Sequence, residues 1–132
     1  MIAELLLTLT PVDYHNLAKV VQVEAAKNTA DEYCVAASVL NRVASDRFPN
    51  TVHEVIYAPG QYEGIYTRRW IPVNPAIKER ISSEEGKKQI LKWSVILNGR
   101  TDFKGQSMLK YRMASEDPMC HPKGNYYHYH WQ

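Results

Sequence analysis

Leu17, Val20, Val21 and Ala25 recur at steps of three and four, the spacing that lines one face of a helix. Thr10-Pro11-Val12-Asp13 opens that helix with a capping hydroxyl, a proline at the first helical position and an acid at the third, and the pattern predicts it to run to about Lys27. Thr29-Ala30-Asp31-Glu32 repeats the capping arrangement and predicts a second helix through Ala44. There Cys34, Val35, Ala36, Ala37, Val39, Leu40 and Val43 leave almost no polar face, as in a central, buried helix. Thr51-Val52-His53-Glu54 starts a short third helix that stops at Pro59-Gly60. Asn74-Pro75 starts another brief one, and Ser82-Ser83-Glu84-Glu85 a longer one that carries Ile90, Leu91, Val95 and Leu97 to an Asn98-Gly99 stop. The stretch from Gly64 to Asn74 has no period and reads as a surface loop. Beyond Gly99 the helical signal fades. Met108 to Met113 and Tyr126 to Trp131 read as two strands of a small sheet, joined by the turn-rich Pro118 to Gly124.

One residue breaks the first helix's pattern. Glu24 falls on the apolar stripe rather than on the wet face. A carboxylate there loses hydration, which disfavours its charged form, and its place near the helix C-terminus pushes the same way. That is how a general acid is made. A Glu at the edge of a stripe could instead snorkel to water or pair with a core arginine. Arg42, near the end of the buried helix, is the residue to hold Glu24 or a substrate anion, unless it serves a plain structural salt bridge.

Length and composition narrow the picture without replacing it. The 132 residues suit one domain, 1–132, with a core that needs no metal or disulfide staple. Lys and Arg total 16 against 14 Asp and Glu, interspersed rather than blocked, so no nucleic-acid footprint stands out. Nine Tyr against two Phe and three Trp suit stacking on polar rings such as sugars. Cys34 and Cys120 are too few and too far apart for a disulfide framework, and the expectation is a chain that folds in a reducing compartment, with a single bridge left open. Met1 to Leu9 lacks the basic start and the length of a secretory signal or membrane span, so no stable membrane insertion is expected.

Several strings together resemble the SleB-like cell wall hydrolases, which include spore-cortex-lytic enzymes and phage lysins. They are Leu17-Ala18-Lys19-Val20-Val21 leading to Glu24-Ala25, Val35 to Val43, Arg47-Phe48-Pro49-Asn50-Thr51-Val52, Val55-Ile56-Tyr57 and Pro59-Gly60-Gln61-Tyr62. The resemblance implies an α+β fold, a predominantly helical lysozyme-like domain with a small C-terminal antiparallel β-element. It implies cleavage of the peptidoglycan glycan strand between N-acetylmuramic acid and N-acetylglucosamine, and it maps the family's essential Glu onto Glu24. Gln61 and Tyr62 fall where the family lines its groove: the amide would bridge N-acetyl and hydroxyl groups, and the phenol ring would support a sugar face. Tyr111 and His128 lie in the family's closing segments and are carried as further substrate contacts.

Where family members follow the catalytic Glu with an Arg-Gly-Glu run, this chain has Ala26-Lys27-Asn28, so the expected second carboxylate is missing. A hydrolysing glycosidase needs a partner acid, whereas a lytic transglycosylase does not. The leading expectation is therefore a lytic transglycosylase with Glu24 as its single general acid and base, acting without cofactor or metal. A muramidase would draw on Glu63 as second acid, and a glycan-binding or virion structural module would have kept the fold and lost the chemistry. A rival zinc site would use His128 and His130, which share one face of a strand, with Cys120 or His121. The expected partner is peptidoglycan, the expected state a monomer. The expected setting is a phage endolysin held in the host cytoplasm before release to the wall, or a virion-associated enzyme.

Overall fold

A computed structural model describes residues 2–62, 64–65, 70–106 and 118–130. Its elements are α1 (Ile2–Thr8), α2 (Pro11–Glu24), α3 (Asp31–Val43), α4 (Val52–Ile56), α5 (Pro75–Ser82), α6 (Glu84–Leu97), β1 (Asp102–Lys104) and β2 (Tyr126–His128). The fold is α+β and mainly helical, with a small antiparallel sheet. None of these helices is long and apolar enough to cross a membrane.

Four of the five predicted N-caps form, while the one read at Thr29 does not: α3 starts after Ala30, which makes no side-chain cap bond, and the Thr29 hydroxyl accepts from the Asp31 N–H instead. The Thr10 hydroxyl accepts from the Asp13 N–H while the Asp13 carboxylate accepts from the Thr10 N–H, closing a capping box. Thr51, Asn74 and Ser83 cap α4, α5 and α6, and α6 ends on Asn98 and Gly99, both with positive φ. α3 runs through the middle of the molecule and touches each of the other helices and β1. Its Cys34, Val35, Ala36, Ala37, Val39 and Leu40 are fully buried against Leu17, Val20 and Val21 of α2, Ile56 of α4, Ile77 and Ile81 of α5, and Ile90 and Leu97 of α6.

Five further expectations change. α2 stops at Glu24 rather than near Lys27, because the chain turns extended at Ala25. Met1 to Leu9, treated only as a failed signal, contains α1, whose Ile2 and Leu6 are one turn apart and buried. Leu91 and Val95 lie outside the core, 39% and 72% exposed, because the α6 face that meets its neighbours runs through Ile90 and Leu97 instead. Among the described residues the strand paired with Tyr126–His128 is Asp102–Lys104, in the register Asp102↔His128, Phe103↔Tyr127, Lys104↔Tyr126. Three residues are too few to show an alternating pattern, and Met108 to Met113 lies outside the described residues. Finally, Cys34 and Cys120 are joined in a disulfide. Their separation of 86 positions conceals that the 118–130 segment returns to the first turns of α3, so the single bridge, left open rather than expected, is what forms.

The turn between α2 and α3 is built by two acids. The buried Asp31 carboxylate accepts from the Ala26 N–H at 3.0 Å, and Glu32, also buried, accepts from the Asn28 N–H at 3.2 Å. Arg80 of α5 reaches Glu32 with Nε at 2.9 Å and Nη2 at 3.0 Å, compensating the buried charge. Asn28 takes the left-handed conformation, φ 60°, at the tip of this turn.

Candidate active site

α2 ends at the edge of a cleft of about 320 Å³ lined by Glu24, Arg42, Gln61, Tyr62, Asp102, Phe103, Lys104 and His128. Three chain regions far apart in sequence converge there: the ends of α2 and α3, the loop after α4, and the two-stranded sheet. Glu24 is half-buried, and burial alone pushes its carboxyl above the usual carboxylate range. Among the described residues no hydrogen bond or ion pair engages that carboxyl, so both oxygens are available to a ligand.

Arg42 does not hold Glu24. Its Nε donates to the Thr101 carbonyl at 2.9 Å, Nη1 to Gln61 Oε1 at 2.7 Å and Nη2 to Asp102 Oδ1 at 3.1 Å. The guanidinium also lies over the rings of Phe48 and Tyr62, 4.7 and 5.1 Å from their centroids. It is the structural cation of the cleft wall, joining α3, the Gln61-Tyr62 loop and β1.

Gln61 and Tyr62 both reach the cleft, in different ways. Gln61 is exposed and lines the cleft with its amide oxygen held by Arg42, which leaves the amide nitrogen as its donor. Tyr62 is 3% exposed, its ring packed by Arg42 and, at 6.1 Å, by Phe103. The expected stacking of a sugar on its face is therefore corrected: the face is covered. Its hydroxyl is buried without a hydrogen-bond partner among the described residues. Burial, partly opposed by Arg42 and reinforced by the Asp102 and Glu24 charges, drives its pKa far up, which keeps it a phenol able to donate. His128 ends β2 and lines the cleft. Glu63 and Tyr111 lie outside the described residues.

Asp102 is the acid that sequence reasoning missed, and it shares the cleft with Glu24. It accepts from Arg42, from the Thr101 hydroxyl at 2.9 Å and faces His130 Nδ1 at 3.1 Å. No motif or period surrounds it, so nothing in the chain marks it. His130 packs edge-on against Phe48 and pairs with Asp102, Cys120 is spent in the disulfide, and the tail's zinc set does not assemble. Among the described residues no group of three His, Cys, Asp or Glu converges on a metal position.

A second polar cluster lies behind Glu24. Asn125, just before β2, donates Nδ2–H to the Glu24 carbonyl and to Asp31 Oδ2, both at 2.8 Å, and its N–H to Asp31 Oδ1 at 3.1 Å. The Tyr127 hydroxyl donates to Asp31 Oδ1 at 2.6 Å. Gly124 makes the approach possible, since a Cβ there would lie 2.7 Å from Asp31 Oδ1.

A family model described as cell wall hydrolase matches residues 26–130. No characterised protein and no solved structure matches the chain. The matched span opens two residues after Glu24, so that residue's role is argued from the geometry of the cleft.

Proposed function

The chain belongs to the cell wall hydrolase family, whose substrate is peptidoglycan, and from that premise we propose that it cleaves the glycan strand as a lytic transglycosylase with Glu24 as its single general acid and base. Glu24 protonates the glycosidic oxygen between N-acetylmuramic acid and N-acetylglucosamine as the C1–O bond breaks. The resulting carboxylate takes the proton of the muramoyl 6-hydroxyl while that oxygen closes on C1, leaving a 1,6-anhydro ring and a reprotonated Glu24. No water is consumed. Gln61 and His128 serve as polar contacts to the glycan, and the Tyr62 hydroxyl donates to a sugar oxygen.

The observation that carries this reading is the state of the cleft acids. Burial raises the pKa of Glu24, and among the described residues nothing engages its oxygens, whereas the oxygens of Asp102 face Arg42, Thr101 and His130 and are poorly placed to activate water or trap a sugar. The presence of Asp102 in the same cleft favours a second reading, a muramidase-type hydrolase in which Asp102 is the partner acid. Glu63, outside the described residues, is the other acid such an enzyme would draw on. Mass spectrometry of muropeptides released from purified sacculi separates the readings. Anhydromuramoyl ends lost in a folded Glu24→Gln variant support the transglycosylase, reducing ends support the hydrolase, and tight binding without products assigns a glycan-binding module.

The biological setting proposed with it is phage lysis or virion entry, the enzyme working at the wall as a monomer. The Cys34–Cys120 bond suits work outside the reducing cytoplasm. Tracking a tagged chain through infection tests the setting.

A further inference from the structure

We propose that Asn125 is a positioning residue for Glu24, an inference that rests on the reading of Glu24 as the proton donor. Glu24 is the last residue of α2, and the carbonyls of a final helical turn have no partner within the helix. The Glu24 carbonyl is taken instead by Asn125 Nδ2, from 101 residues further along the chain. The second hydrogen of the same amide goes to Asp31, so one buried side chain ties the end of the catalytic helix to the start of α3. Asp31 is itself held by the Ala26 N–H and the Tyr127 hydroxyl. Nothing among the described residues bonds the Glu24 carboxyl, so its aim into the cleft is set by its backbone and by packing. Asn125 is the tertiary contact that fixes that backbone. Without it the helix end frays toward the cleft mouth and the carboxyl regains water.

A plain structural cap and a positioning residue differ in what they do to chemistry per folded molecule. Asn125→Ala is compared with Tyr127→Phe, which removes a different donor to the same Asp31; among the described residues the Tyr127 hydroxyl bonds Asp31 and not Glu24. Rates on purified sacculi are normalised to the folded fraction measured by circular dichroism. Expected for Asn125→Ala is a loss of kcat of about tenfold to a hundredfold, the scale of a misplacement near 1 Å, with the upper limb of the pH profile moved toward lower pH. Arg42, Asp102, Lys104, His128 and Tyr62 share the cleft and stay unaltered, so that limb reports the surroundings of Glu24. Affinity for a soluble muropeptide tetrasaccharide, measured in a Glu24→Gln background, should change by less than about threefold, because Asn125 does not line the cleft. Tyr127→Phe should lower the melting temperature and leave the rate per folded molecule and the pH limb where they are.

The proposal is overturned by an Asn125→Ala protein with normal kcat and an unmoved limb, or by a Tyr127→Phe protein that moves the limb equally. Asn125→Ser, which keeps one donor for Asp31, replaces the alanine variant if that chain does not fold and is judged by the same two outcomes. Full activity in Glu24→Gln alone rejects the reading of Glu24. An inactive Glu24→Gln beside a normal Asn125→Ala rejects only the role of Asn125.

Discussion

The proton on Glu24 is linked to folding as well as to chemistry. Burial raises its pKa, so the folded protein holds that proton more tightly than the unfolded chain. This contribution to stability is fully present below the unfolded carboxyl pKa and is lost as pH rises through the raised folded value. Glu24→Gln does not titrate, so its melting temperature should match the parent in acid and exceed it increasingly as pH climbs, then level off. The slope of the difference cannot exceed about 1.4 kcal/mol per pH unit, and a difference that narrows with pH would contradict the assignment. Catalysis should fall over the same window, since a deprotonated donor has nothing to give. Tyr62 offers a second test. Its buried hydroxyl has no hydrogen-bond partner among the described residues, so Tyr62→Phe should stabilise the free protein by about 1 kcal/mol while lowering kcat/KM on sacculi several-fold. A variant that is both less stable and equally active would remove the hydroxyl from recognition. That Glu24 is a chemical candidate follows from its place on an apolar stripe. That the Tyr62 ring is covered does not, because Arg42 and Phe103 reach it from other parts of the chain.

Local pattern located most elements and described their burial less well. Caps and stops are chemistry of neighbouring residues, which is why Thr10, Thr51, Asn74, Ser83 and Asn98 act where the chain says they should. Asp31 and Glu32 look like ordinary acids of a helix first turn, where the dipole welcomes them. They are instead 0% and 2% exposed and organise the turn behind Glu24. Asp31→Ala would orphan donors from Ala26, Asn125 and Tyr127. It should cost at least about 3 kcal/mol by urea unfolding, against about 1 kcal/mol or less for an exposed first-turn acid. An equal cost for Asp31→Ala and Glu84→Ala would show that the network contributes no more than a dipole does. β1 was not legible at all: three residues carry no period, and their pairing with β2 depends on where the intervening chain returns.

Across the whole molecule, the Cys34–Cys120 bond ties α3 to the segment that supplies Asn125 and His128. Closing a loop of that length is worth about 4 to 5 kcal/mol in the chain-entropy model. Cys34→Ser/Cys120→Ser should therefore melt roughly 15 °C lower, and a drop of only a degree or two would mean that noncovalent contacts already hold the segment. The tether also explains why the cysteines misled: distance along the chain says nothing of distance in space when the tail folds back over the first buried turns. The amino-acid order alone was enough to specify five of the helices, the caps of four of them, the buried central helix and the acid at odds with its stripe, because each depends on neighbours within a turn or two. The cleft was not within its reach. Arg42 meeting Asp102 and Gln61, the covering of Tyr62 and the hold of Asn125 on Glu24 all join residues tens of positions apart, and such pairs come into contact only when the core packs.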